Sequence, residues 1–143
     1  MLIGEHIYKL GKKGRVALPK SFRDELGKKV IVTRGYEGCL IVVSPSQWKE
    51  LLKEAATGPF VSESVRDTSR FLLGGAAEIE LDDQGRFVIP PSLRSYAQLG
   101  DEVCFLGLGR WVEIWDKERW NDRRNYLAEE AGSIAEKLAE VEV

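Results

Sequence analysis

The chain has 143 residues, of which 43% are hydrophobic and 31% are charged, and its formal net charge is −2 at pH 7. This composition excludes a disordered chain, which would hold far fewer apolar residues. No stretch approaches the roughly eighteen apolar residues of a membrane span, and the N-terminal sequence lacks the apolar core of a signal peptide, so we expect a cytoplasmic protein without a membrane partner.

Charge is distributed unevenly along the sequence. Residues 1–36 contain nine basic and three acidic side chains, a net charge of +6, so residues 37–143 carry −8. This split predicts a basic face on an otherwise acidic protein, and such faces are typical of proteins that bind nucleic acid.

An internal repeat organises the chain. The segment GRVALPKSFRDEL, which begins at Gly14, aligns with GRFVIPPSLRSYA, which begins 71 positions later at Gly85. With slips of one or two residues, LGKKVIV aligns with LGDEVCF, and LIVVSPSQW aligns with VEIWDKERW. The repeat covers a whole folding unit and therefore predicts two similar β-rich units.

Each unit is predicted to begin with a hairpin and a short helix. The strands EHIYKL and AAEIEL lead through Gly-containing turns into the short strands RVAL and RFVI, with which they are expected to pair. Pro19 and Pro90 then begin short helices, which Gly27 and Gly100 are expected to end.

A second hairpin follows in each unit, formed by KVIVTR with CLIVV and by EVCFLG with WVEIW. Because isolated hairpins are unstable in water, the hairpins of both units are expected to pack into one small pseudo-symmetric barrel. The surrounding helices make the predicted fold class α+β.

Helices are predicted between and after the two units. SPSQWKELLKEA has an N-cap at Ser44, and SESVRDTSRFLLGG has one at Ser62 or Ser64. DKERWNDRRNYLAEEA and a separate short helix, GSIAEKLAEVEV, end the chain. The predicted boundaries are 1–53 for the first unit with its helix, 54–75 for a linking helical region, and 76–143 for the second unit with its C-terminal helices.

The segments GKKGRVALP and DDQGRFVIP resemble the paired turn motifs of the MraZ family, bacterial transcriptional regulators with two AbrB-like swapped-hairpin units per chain. LLGGAAEIELDDQGR and VEIWDKERW extend the likeness over nearly the whole chain. The resemblance implies a nucleoid-associated regulator of the division and cell-wall gene cluster that binds short direct repeats in double-stranded DNA near its own promoter. It also implies a homo-oligomer closed into a ring, an octamer or a dodecamer.

The two turns differ at one position of the family pattern Asp-x-x-x-Arg. The second turn has the full pattern from Asp82 to Arg86, whereas the first has Gly11 in place of the aspartate that would precede Arg15. The first turn is therefore more basic, and it lacks a carboxylate that could orient its arginine. The glycine before each arginine, Gly14 or Gly85, belongs to the same turn motif.

The candidate DNA-binding residues are cations at or beside the turns. They are Arg15, Lys13, Lys12, Arg86, Lys9 and Lys20. Arg15 is favoured as a base-reading residue because guanidinium donors match base edges and phosphates, and the lysines are expected to contact phosphates. Two interpretations of Arg86 stay open, since Asp82 and Asp83 could instead hold it in an ion pair between neighbouring subunits. Arg15 could likewise pair across a subunit boundary.

Other reactive side chains predict no catalytic or metal site. Cys39 and Cys104 lie in apolar β-like runs and are expected to be buried free thiols. His6 is the only histidine, so we expect no zinc site, no catalytic triad and no cofactor. The alternating acidic residues Glu78 and Glu80 are interpreted as a solvated or intersubunit strand face. We therefore expect a protein that is not an enzyme.

One alternative function remains, an AbrB-like module that acts by binding another protein, as antitoxins with related units do. The acidic C-terminal helix would then be the docking element. Such antitoxins carry one unit and a long disordered tail, so two units and a short tail favour the DNA-binding regulator.

Overall fold

The computed structural model describes residues 1–141, so Glu142 and Val143 of the predicted C-terminal helix lie outside the described residues. The strands are β1 Leu2–Lys9, β2 Arg15–Ala17, β3 Lys29–Arg34, β4 Leu40–Val43, β5 Ala77–Glu80, β6 Arg86–Val88, β7 Glu102–Gly109 and β8 Val112–Asp116. The helices are α1 Lys20–Leu26, α2 Pro45–Ala55, α3 Glu63–Leu72, α4 Pro91–Tyr96 and α5 Lys117–Val141. The predicted α+β class is confirmed.

Within residues 1–141, eight strands form one large sheet and one small ribbon. The antiparallel six-stranded sheet has the order β1-β7-β8-β4-β3-β5, and the two-stranded antiparallel ribbon pairs β2 with β6. The order is symmetric about the β8–β4 pair. The first strand of each half pairs with the third strand of the other half, β1 with β7 and β5 with β3. The two halves are therefore interlocked.

Two of the four predicted hairpins are confirmed, and two are wrong. β3 pairs with β4 and β7 with β8 as predicted. β1 does not pair with β2, nor β5 with β6, because each of these strands pairs across to the other half. The reason is length: β2 has three residues, whereas β7 offers β1 eight register partners, from Leu2↔Gly109 to Lys9↔Glu102.

The predicted barrel is not confirmed. Within residues 1–141, β1 and β5 are the two edges of an open sheet and are not hydrogen-bonded to each other. The apolar core is nevertheless shared by both halves, since Phe22 and Val32 belong to the same buried cluster as Ile89 and Phe105. The predicted unit boundaries at residues 53 and 75 remain a prediction.

Helix starts follow the predicted caps more closely than helix ends do. The hydroxyls of Ser44 and Ser62 each accept a hydrogen bond from the backbone N–H group three positions later, at 3.3 and 3.4 Å. α4 ends at Tyr96, ahead of Gly100. The two predicted C-terminal helices are one helix, because α5 runs without a break through Gly132. An isolated glycine among strong helix formers weakens a helix by only about 1 kcal/mol.

The cysteines are buried free thiols, as expected. Burial raises the pKa of both thiols, that of Cys104 to about 11, so they stay protonated at neutral pH. Trp115 and Trp120 pack beside them, edge to face with ring centres 5.5 Å apart. No helix in the described part of the chain is long and apolar enough to cross a membrane.

Candidate nucleic-acid interface

The two turns that precede β2 and β6 have the same backbone hydrogen bonds, 71 positions apart. In the first turn, the N–H of Gly11 donates to the carbonyl of Arg15 at 2.8 Å, and the N–H of Gly14 donates to Gly11 at 3.2 Å. In the second, Asp82 donates to Arg86 at 3.0 Å and Gly85 donates to Asp82 at 2.9 Å. The sequence repeat is therefore also a structural repeat.

Each turn is fastened to the opposite half of the chain. The N–H of Leu18 donates to the carbonyl of Gly85 at 3.0 Å, and the N–H of Ile89 donates to that of Gly14 at 2.9 Å. These reciprocal bonds flank the β2–β6 ribbon at both ends. The two turns are thus held at fixed positions relative to each other.

Gly14 and Gly85 are required by their backbone conformation and by a close neighbour. Their φ angles are +77° and +75°, a region that favours glycine. A Cβ on Gly14 would lie 2.5 Å from Nε of Arg94, and one on Gly85 would lie 2.0 Å from Cδ of Arg23. Arg94 and Arg23, which occupy equivalent positions in the short helices, therefore pack across onto the turns of the opposite half.

Replacing Gly85 with alanine is expected to lower the free energy of unfolding by about 1–2 kcal/mol, because an L-residue is strained at this φ and the Arg23 side chain must also move. Chemical denaturation of the variant measures the loss. Gly132→Ala is the matched control, since a Cβ there meets no atom within 4 Å. That control should stabilise the protein by up to about 1 kcal/mol. Equal effects of the two changes would contradict this account of Gly85.

The ribbon presents one face to solvent and the other to the core. Its register opposes Arg15 to Val88 and Ala17 to Arg86. Alternation along the strands places these four residues on one face, while the central pair, Val16 and Phe87, is buried on the other. Arg15 and Arg86 are diagonal neighbours on the outer face, a relation that separates two residues by about 7–8 Å.

An open depression of about 530 Å³ lies over this outer face. We call it the ribbon surface, and its residues are Lys9, Gly11, Lys12, Lys13, Arg15, Val16, Ala17, Arg86 and Val88. It brings together five of the six cations singled out in the sequence and contains no carboxylate among its lining residues. The sixth, Lys20, lies apart from it, in a separate depression beside Asp82 and Gly85.

In the second turn, Asp82 binds both the backbone and the side chain of Arg86. Oδ1 accepts from the backbone N–H groups of Gln84 and Arg86 at 2.9 and 2.8 Å, and Oδ2 accepts from Nε of Arg86 at 2.8 Å. The backbone bond from Arg86, followed by the side-chain bond, lowers the pKa of Asp82 to about 2. This bracing is therefore complete above the ordinary pKa of about 3.8 and is lost as the pH falls through about 2.

The ion pair of Arg86 lies within its own turn. Its side chain bonds to Asp82 of the same chain, and the ion pair between subunits that the sequence left open stays a prediction. Asp83 instead contacts Lys28, at 3.1 Å.

The first turn has no such brace. Gly11 provides no carboxylate, and no hydrogen bond or ion pair within residues 1–141 involves the side chain of Arg15. Lys13 has φ +63°, a left-handed conformation that is uncommon for a non-glycine residue. The two turns thus share a backbone path but differ in the freedom of their arginines.

Sequence reasoning did not find that Ala17 and Val88 lie between the two arginines, nor that the turns share one surface. The alternation within RVA and RFV, buried only at the middle residue, was the available signal. Residues 1–141 contain no group of three or more His, Cys, Asp or Glu side chains placed to hold a metal ion.

Comparison with known proteins shows which family has a similar sequence. The family model of the MraZ protein, which is described as antitoxin-like, matches residues 1–71 and again 72–140. The chain is 41% identical to the transcriptional regulator MraZ of Roseiflexus sp. (strain RS-1) over 99% of each chain. It is 42% identical to that of Acetivibrio thermocellus over 97% of each, and 39% identical to that of Thermoanaerobacter sp. (strain X514) over the full length of both. Each of these relatives is named a transcriptional regulator.

Proposed function

The chain belongs to the MraZ family, and from that premise we propose that it regulates transcription by binding specific sequences in double-stranded DNA through the ribbon surface. The observation that carries this proposal is the clustering of Lys9, Lys12, Lys13, Arg15 and Arg86 on one exposed surface, whose only ion pair within residues 1–141 is that of Arg86 with Asp82. Cations arranged in this way supply phosphate contacts, and arginines among them can bond to base edges.

The shape of the site suits a groove of DNA. A two-stranded β-ribbon fits the major groove of B-DNA, where each base pair presents a distinct set of donors and acceptors. The β2–β6 ribbon is fastened at both ends by the bonds to Gly14 and Gly85, so its outer side chains would enter the groove at a fixed spacing. Lys20 would contact phosphates outside the ribbon surface.

We also propose that several copies act together on short direct repeats near the promoter of the division and cell-wall genes. A chain with a net charge of −2 and a single ribbon surface has few phosphate contacts to offer. A closed ring, an octamer or a dodecamer, would present one such surface per chain to successive repeats.

Reversing two charges on the ribbon surface tests the proposal. Lys12→Glu with Lys13→Glu is expected to weaken binding to duplex DNA and to flatten the logarithmic salt dependence of the binding constant by about two, because two phosphate contacts are lost. Fluorescence anisotropy at several salt concentrations measures both quantities.

The matched control is Lys49→Glu with Lys53→Glu, on the exposed side of α2, which contributes no residue to the ribbon surface. This pair changes the net charge equally and should leave the salt slope nearly unchanged. Equal losses in both variants would mean that only net charge matters and would overturn the assignment. A wild-type protein that ignores duplex DNA and purifies with a stoichiometric protein partner would instead favour the antitoxin-like alternative.

A further inference from the structure

We propose that the two turns divide the work of DNA binding in this chain, so that Arg86 reads a base edge while Arg15, with Lys12 and Lys13, contacts phosphates without regard to sequence. This inference rests on the proposed function of the ribbon surface and goes beyond it by assigning different roles to two arginines that the repeat makes equivalent. It reverses the expectation from the sequence that Arg15 reads the bases. The difference follows from the single departure at Gly11.

The bonds to Arg86 leave its base-reading edge free. Asp82 accepts from Nε at 2.8 Å, and no hydrogen bond to Nη1 or Nη2 of Arg86 occurs within residues 1–141. A guanidinium held through Nε can still direct its remaining N–H groups together toward one acceptor pair, such as O6 and N7 of guanine. Because Asp82 also fixes the backbone N–H of Arg86, the side chain is oriented before DNA arrives. The Arg86 side chain then loses less conformational entropy when DNA binds.

Arg15 has neither of the bonds that Asp82 makes with Arg86. Its turn has the same backbone bonds, but position 11 has no side chain to hold the guanidinium. Its charge is not offset by a carboxylate, whereas that of Arg86 is. An unbraced, uncompensated cation beside Lys12 and Lys13 suits a phosphate, which accepts from many directions. A base edge, in contrast, accepts hydrogen bonds only from donors held in a fixed direction.

Lysine substitutions separate the two roles, because lysine keeps the charge and can contact a phosphate but lacks the fork that binds a guanine edge with two bonds. The probes are a duplex recovered by the wild-type protein from a random-sequence library, and a random duplex of equal length. Arg86→Lys is expected to lower the ratio of affinities for the two probes by about 5- to 150-fold, the range for one bidentate base contact. Arg15→Lys should change both affinities by the same factor.

Repeating the selection with each variant gives an independent readout at single-base resolution. Arg86→Lys should lose its preference at a guanine position, whereas Arg15→Lys should recover the wild-type consensus. If Arg15→Lys alone loses discrimination, or if both variants lose it equally, the division of roles is wrong while the proposed function stands. If the wild-type protein enriches no sequence, the proposed function and this inference both fail.

A substitution at Asp82 leaves Arg86 in place, so it tests the inference even if Arg86→Lys fails to fold. Asp82→Asn keeps one carbonyl oxygen as an acceptor for the backbone of the turn but removes the negative charge and the second acceptor, so we expect tighter binding to the random duplex together with weaker discrimination. A merely structural role of Asp82 would lower both affinities. That result would overturn the inference.

The reciprocal change places a carboxylate in the first turn. The φ of Gly11 is −73°, which any residue adopts, and a Cβ there would touch only the carbonyl of Arg15 closely, at 3.1 Å. Gly11→Asp should therefore fold and should weaken binding to the random duplex at low salt, less so as salt screens the added charge. Tighter binding to the random duplex would count against the phosphate role of Arg15.

Discussion

An operator cut from three repeats to one is expected to bind the protein about 10²- to 10⁴-fold more weakly, far more than the loss of two sites in three would explain. One chain has one ribbon surface, so a single repeat would engage one set of five cations. In a ring, the binding of one repeat holds the next ribbon surface beside the next repeat at a high effective concentration. Titration at fixed salt with operators of one, two and three repeats measures the effect.

Spacing provides the control for this prediction. Inserting about 5 bp between repeats keeps their number but turns adjacent sites to opposite faces of the duplex, since one turn of B-DNA takes about 10 bp. Most of the affinity gained from the additional repeats should then disappear. Light scattering should also give a mass above that of a dimer. A protein that is monomeric and binds one repeat as tightly as three would rule out the ring mechanism.

Replacing Phe22 with alanine is expected to lower the free energy of unfolding by about 3–5 kcal/mol, a large part of the 5–15 kcal/mol that stabilises a typical domain. The side chain is fully buried in the core that both halves share, and its ring meets that of His6 edge to face, with centres 5.0 Å apart. Removing it leaves a cavity that the surrounding strands can only partly close.

The shared core adds a second expectation, that the whole chain unfolds in one transition. With Trp48 of the first half replaced by phenylalanine, the remaining tryptophans, Trp115 and Trp120 among them, lie in the second half, so their fluorescence reports whether damage at Phe22 reaches it. The matched control is Phe60→Ala, because that side chain is 83% exposed, and it should change stability by no more than about 0.5 kcal/mol. Two separate transitions, with only one of them shifted, would contradict a common core.

Local features of the fold were predictable from the sequence because their causes lie within a few residues. Ser44 and Ser62 cap helices through bonds to nearby backbone groups, and Pro19 precedes α1 because its ring fixes its own φ. The two turns were found through their repeat, since Gly14 and Gly85 meet the same steric demand.

The choice of strand partners was not predictable in this way. An apolar strand such as β1 fits several neighbours equally well, and what decides between β2 and β7 is the number of pairs available about a hundred residues away. The candidate site depends on that choice, because Arg15 and Arg86 share a surface only when β2 pairs with β6. Nor does the sequence reveal that Asp82 binds Nε of Arg86, since the bond depends on the rotamers of both side chains.

The interlocked halves also bear on how the protein is made. β1 finds its partner, β7, roughly 100 residues later in the chain. At about 5–20 residues per second, a ribosome needs about 5–20 s to add that much polypeptide. Throughout that interval the nascent first half has strand edges without partners and an incomplete core, the conditions under which chains aggregate. The protein should therefore depend on chaperones during translation, a dependence that pulse-labelled cells lacking a ribosome-bound chaperone would reveal as an insoluble fraction of newly made chains.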